Sequence, residues 1–205
     1  MERPNAGGDA TTTSDPEVCD LRGRQSFPYC GRIIEQTDSG VKVSCQNTIV
    51  KIRPTALNAS RRTQRTNPAT DLEKNQLRSV IGSLNWISRV CRPGIAYAFS
   101  ALQIVQGKAT VQDLLVCNHL LASVQKTSDV GLYYHYGAFD FQKAVILSVT
   151  DASHASDFEL SQSGEKMGHR SQSGRMLRSA DPSLRTNGQG HVHIIEYHSN
   201  VIRRV

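Results

Sequence analysis

The side chain best placed by its surroundings to do chemistry is Asp151, which follows the apolar run Ala144-Val-Ile-Leu-Ser-Val-Thr150. A run with almost no alternation has the composition of a strand covered on both faces. A carboxylate at the end of such a strand is rigidly held and open to solvent, as a divalent-metal ligand must be. An aspartate after a strand also serves as an ordinary turn or cap residue. Two-metal chemistry needs several carboxylates converging around metals about 4 Å apart. The nearest, Asp157 and Glu159, fall on a polar stretch expected to be loop, where solvated charge is the plainer role. His191 and His193 share one face of an expected final strand and His198 takes the other. Two histidines without a third ligand are a poor metal site. Ser153-His154 and the Ser171–Gly174 stretch offer hydroxyls without an assembled base and orienting group, so a hydrolase triad has no support. Gly7-Gly8 follows no strand, and no glycine-rich phosphate loop is present.

A second chemistry is electrostatic. Arg53, Arg61, Arg62, Arg65, Lys74, Arg78, Arg89 and Arg92 face only Asp71 and Glu73 in the same window, an excess equal to the formal net charge of +6 for the whole chain. A local basic stretch beside a packed helix suits a polyanion such as nucleic acid, whose binding is driven by counterion release. The bland alternative is a solvated basic face. Trp86, at helical spacing, fits a packed core residue better than a base-stacking platform. The five cysteines, Cys19, Cys30, Cys45, Cys91 and Cys117, are odd in number and include no C-x-x-C pair. Neither a disulfide framework nor a zinc knuckle follows, and a reducing, intracellular setting is the expectation. No apolar run approaches the ~18 residues of a membrane span, and the polar N-terminus carries no signal-peptide pattern.

The elements that position these residues centre on Thr70–Ser100. Thr70 with Glu73 predicts a capping box, and Leu77, Val80, Ile81, Leu84, Ile87 and Cys91 recur on one helical face. Trp86 lies on a second face with Leu72, Val90, Ser79, Gly82 and Ser83, so the helix is expected to be covered on two sides. Arg92-Pro93-Gly94 stops it. A second stripe, Ile95, Ala98, Phe99, Leu102 and Val105, follows, and Thr110 caps a third helix running to about Lys126, with Asn118 its polar intruder. Upstream, Asp38-Ser39-Gly40 predicts a hairpin turn between Tyr29–Gln36 and Val41–Gln46. Pro54–Ala69 reads as loop or linker. Downstream, strands are expected at Val130–Tyr136, Ala144–Thr150, Gly174–Ala180 and His191 to about Ser199, with a loop at Asp181–Gly190. Residues 1–26 have the composition of a disordered lead-in.

With helix pair and Asp151 strand both in place, the order of segments becomes recognisable. LRSVIGSLNWISRVCRPGIAYAFSAL resembles the segment of copia-type retrotransposon Pol polyproteins that reads roughly (Y/L)RSLVGSLMWLAR-x-(T/C)RPDIAYAVS-x-L. The spacing to VGLYYHY and then LSVTDASHA, in the place of that family's YSDAD, is also similar, and FPYCGRII resembles its FLGLEI strand. The likeness spans about residues 27–160; residues 161–205 match more loosely. The resemblance implies the end of a reverse transcriptase palm and a linker over 27–69, helical thumb and connection over 70–129, and a partial ribonuclease H-like domain over 130–205. Asp151 takes the place of the first metal-binding carboxylate. The Tyr-x-Asp-Asp hairpin of the family is expected upstream of Phe27, and its remaining nuclease carboxylates beyond Val205. Gly94 stands where the family usually carries Asp.

The expectation is therefore an α+β chain: a β-hairpin, three helices, then a truncated ribonuclease H-like mixed sheet. Its parent copies RNA into DNA and hydrolyses the RNA of RNA–DNA hybrids with Mg²⁺, while this segment is inactive alone and holds no magnesium tightly. Expected partners are RNA–DNA hybrid or other nucleic acid and the remaining Pol segments, with no membrane. The alternative is a non-catalytic basic nucleic-acid-binding or scaffold remnant; a metallohydrolase built on the histidines is the weakest reading.

Overall fold

In the computed structural model, which describes residues 26–138, 140, 142–152, 157–160 and 166–202, the longest helix starts at the expected capping box. The backbone N–H of Glu73 donates to Thr70 Oγ1 at 3.3 Å, and Thr70 N–H donates to Glu73 Oε2 at 2.7 Å. This helix (α3, Asp71–Val90) buries Leu77, Val80, Ile81, Leu84, Ile87 and, just past its end, Cys91, as its periodicity predicts. A 3-10 turn at Pro93–Ile95 redirects the chain into α4 (Ala96–Val105). A second capping box, Thr110 with Asp113, begins α5 (Val111–Lys126), which adds Val111, Leu114, Cys117, Leu121 and Val124 to the same core.

The second face of α3 departs from expectation. Trp86 packs against the core, but Leu72 is 70% exposed and no atom lies within 4 Å of a Cβ built on Gly82. What covers Trp86 is a tight turn. Strands β1 (Ser26–Tyr29) and β2 (Arg32–Thr37) pair antiparallel through Cys30 and Gly31, both at positive φ. A two-residue loop of this kind matches the twist of its strands. Gly31 lies against the indole: a Cβ there would sit 3.0 Å from Trp86 Cη2. The expected turn at Asp38-Ser39 joins β2 to β3 (Gly40–Ser44). The chain then makes a single helical turn, α1 (Gln46–Ile49).

Pro54–Ala69 is not a free linker. It contains α2 (Ala59–Thr63), buries Thr55, Leu57 and Ala69, and is clamped by Asn118, whose amide accepts from Thr55 N–H and donates to Thr55 O, each at 2.9 Å. Arg61 completes the tie. Its Nε and Nη2 donate to the two Glu73 carboxylate oxygens at 2.9 Å, and Nη2 also reaches Pro68 O at 2.7 Å. These bonds from Arg61, with those from Thr70, hold the Glu73 carboxyl at about 2 against the opposing effect of burial. A carboxyl depressed from its ordinary 4.5 adds stability above that pH, and this stability is lost as pH falls toward 2. Glu73→Gln is therefore expected to lower the unfolding temperature at pH 7 and to converge with the parent near pH 2. Thermal unfolding across that range checks this, and parallel curves would refute it.

After α5, β4 (Leu132–His135) returns to the first sheet and pairs with β3, giving the antiparallel order β1-β2-β3-β4. The second sheet is built around β7 (Lys166–Ala180), flanked by β5 (Val145–Ala152) and β8 (Val192–Ile202), with β6 (Asp157–Leu160) pairing its first residues. Every described pairing is antiparallel, so the expected mixed sheet is replaced by an antiparallel one. The expected loop at Asp181–Gly190 carries a short helix, α6 (Ser183–Asn187), ended by Gly188 at φ +69°. The sheets meet where Tyr134 Oη donates to Ile194 O at 3.2 Å, and Tyr197 packs onto the helical core. The described residues form an α+β fold of six helices and two antiparallel sheets. No described helix is long and apolar enough to cross a membrane.

Candidate functional site

Asp151 lies inside β5, paired with Gly174, not in a turn after it. The strand itself is not covered on both faces as its composition suggests. Among the described residues it has only β7 as a neighbour, and Ile146 and Val149 are 64% and 45% exposed. β-Branched residues favour extended backbone whether or not another layer covers them, so composition predicted the strand and misjudged its cover.

Cross-strand register puts Asp151, Val149, Met176, Tyr197 and Ser199 on one face, because directly opposed residues point the same way. Together with Tyr97 of α4 and residues Arg175 and Arg178 of β7, this face lines a cavity of about 350 Å³. Arg175 also reaches Glu196 at 3.3 Å, and Arg178 Nε donates to Met176 Sδ at 2.7 Å. Asp151 is the one carboxylate among the described residues lining it, whereas a dication needs several anionic oxygens. Among the described residues no three His, Cys, Asp or Glu side chains converge as metal ligands. Asp157 and Glu159 lie on β6, not on a loop, with their backbones paired or adjacent to β7. Their side chains, like Ser153 and His154, fall outside the described residues. The Ser171–Gly174 stretch is part of β7.

The histidines divide. His193 is 8% exposed, edge-on to the Tyr134 ring at 5.2 Å, while exposed His191 precedes β8 with its ring 6.2 Å from that of His135. Burial, then the positive potential of His135 and His191, lowers the His193 pKa, so it behaves as a neutral core residue. His198 lies 3.7 Å from Glu196.

The basic window also divides. Arg61 is committed to Glu73, Arg62 Nε donates to Leu57 O at 3.1 Å, and Arg92 donates to Thr127 O and Oγ1. These three serve the fold. Lys74 pairs with Asp71 at 3.8 Å, and Arg53 and Arg65 are exposed on the loop. Arg78 and Arg89 differ from the rest. They sit eleven residues apart on α3, within about 20° of one face and about 16 Å along its axis. Each is steadied by an asparagine one turn earlier: Arg78 Nη1 donates to Asn75 Oδ1 at 3.0 Å, and Arg89 Nε donates to Asn85 Oδ1 at 3.1 Å. Open Gly82 lies between them. Two held guanidiniums about five base steps apart on one helix can bridge phosphates of one duplex. The signal was present in the chain as asparagine three or four residues before arginine on one face. The cavity residues Tyr97, Arg175, Arg178 and Tyr197 carried no local signal.

Compared with protein-family models, curated proteins and solved structures, the chain gives no match.

Proposed function

We propose that this chain is a non-catalytic, nucleic-acid-gripping segment of a copia-type Pol protein, whose parent performs RNA-directed DNA synthesis and RNA hydrolysis in RNA–DNA hybrids. The observation that carries the proposal is the solvent-facing stripe Asn75–Arg78–Gly82–Asn85–Arg89, which lies within the segment that resembles that family. The order of elements supports it: a helix pair broken at Arg92-Pro93, then a third helix, then antiparallel strands with Asp151 on β5, the first strand of the second sheet. A truncated ribonuclease H-like sheet is the finer reading of β5, β7 and β8. The family's magnesium requires grouped carboxylates; Asp151, the one carboxylate lining the cavity among the described residues, does not fit it, so the segment is read as acting by binding.

The test is fluorescence anisotropy with a labelled RNA–DNA hybrid over a salt series. Binding is expected to weaken linearly in log–log form, and Arg78→Ala with Arg89→Ala to lower the slope by roughly two, at about 0.9 per phosphate contact. An unchanged slope and affinity would reject the binding face and leave a scaffold role. Magnesium-dependent RNA cleavage abolished by Asp151→Asn would reject the non-catalytic reading.

A further inference from the structure

Two buried thiols that the binding role does not use meet between the first sheet and the end of α3. Cys45, at the junction of β3 and α1, is fully buried, and Cys91, the residue closing α3, is 1% exposed. Their sulfurs are 2.8 Å apart, with the Cys91 thiol donating to Cys45 Sγ, and the residues stand 46 apart in the chain. The other described cysteines lack such a partner: Cys30 is exposed on the β1–β2 turn, and Cys117 lies in the core with its thiol pushed up to about 11 by burial.

We propose that Cys45 and Cys91 form a redox-modifiable dithiol, closed to a disulfide by a small peroxide, that ties the N-terminal sheet to the end of α3. The roles are unequal. The hydrogen bond from Cys91 draws the Cys45 thiol downward against burial, helped by the charges of Arg32 and Arg92. Cys91 moves upward because its proton is held in that bond and because it is buried. Cys45 is thus the attacking sulfur and Cys91 the resolving one. The Cys45 thiolate attacks one peroxide oxygen and breaks the O–O bond. This yields a sulfenic acid, and the departing hydroxide takes up the Cys45 proton as water. Cys91 sulfur then attacks the sulfenic sulfur, the S–S bond forms as S–O breaks, and the hydroxide leaves with the Cys91 proton as a second water. Two thiols lose two electrons and one hydrogen peroxide gains them. Both cysteines stand at element ends, where local opening admits a small oxidant most easily.

The test treats the full chain with hydrogen peroxide, quenches free thiols, and maps peptides by mass spectrometry without reduction. The expected result is a Cys45–Cys91 cross-linked peptide and an intact mass lower by two hydrogens. The oxidised chain is expected to unfold about 5–15 °C higher than the reduced one, as closure of a loop of this length implies, and to revert on adding dithiothreitol. Cys30→Ser retains the cross-link and Cys91→Ser loses it. Bridges through Cys19 or Cys30 alone, or oxidation of Cys45 to the sulfinic acid with Cys91 still a free thiol, would overturn the assignment. The mapping is read on the unaltered chain, so it stands even if the serine variants do not fold, and it is independent of nucleic-acid binding.

Discussion

Leu84→Ala is expected to destabilise the chain by about 3–5 kcal/mol, enough to remove much of the ~5–15 kcal/mol that holds a typical domain folded. Leu84 has no exposed surface and sits in the middle of the buried stripe of α3, within the core shared by α4 and α5. Truncation loses the transfer free energy of the removed carbons and leaves a cavity that packed helices close only in part. Because the second sheet joins this core through Tyr197, its docking should weaken as well. Urea unfolding followed by circular dichroism measures the change. A loss below about 1 kcal/mol would mean the site collapses freely and the helical core is not the centre of stability.

Gly131→Ala is the second large effect, expected at about 2–3 kcal/mol. A Cβ at Gly131 would lie 2.2 Å from Val43 O and 2.9 Å from Val43 C, and backbone atoms inside a paired strand cannot swing away as a side chain tip can. The clash falls where β4 joins β3, so relief requires breaking the Val43–Leu132 pairing. That in turn would shift Tyr134 from Ile194 and loosen one junction between the sheets. Gly82→Ala is the matched control. Nothing lies within 4 Å of its Cβ, and removing glycine from an exposed helix interior should stabilise by about 0.5–1 kcal/mol. Opposite signs for the two variants are the expected outcome; equal effects would refute the close approach at β3–β4.

Features set by near neighbours in the chain were legible from it. The Thr70–Glu73 capping box joins residues three apart, Thr110 was expected as the cap of α5, and the stripe from Leu77 to Cys91 follows from helical geometry alone. The Asp38-Ser39 turn and the stop at Arg92-Pro93 belong to the same class. Local backbone preference and side-chain spacing suffice for these, because the interacting groups are held close whatever the rest of the chain does.

Where partners are distant, the residue types were silent. Arg61 and Arg92 looked like free positive charge until a loop brought one to Glu73 and a helix end brought the other to Thr127. The stretch Val145–Val149 announced a strand but not its pairing with β7 or its open face. The return of Leu132–His135 to Val41 and its neighbours, the cavity around Asp151 and the meeting of Cys45 with Cys91 all depend on long loops closing. Closing a loop costs entropy that many alternative contacts could offset, so composition cannot name the pair that wins. Chain chemistry accounts for the long helices and the hairpin turn, while the short helices α2 and α6 and the strand β6 came from segments expected to be loop; the packed fold settles which charges are spent on structure and which remain free to meet a ligand.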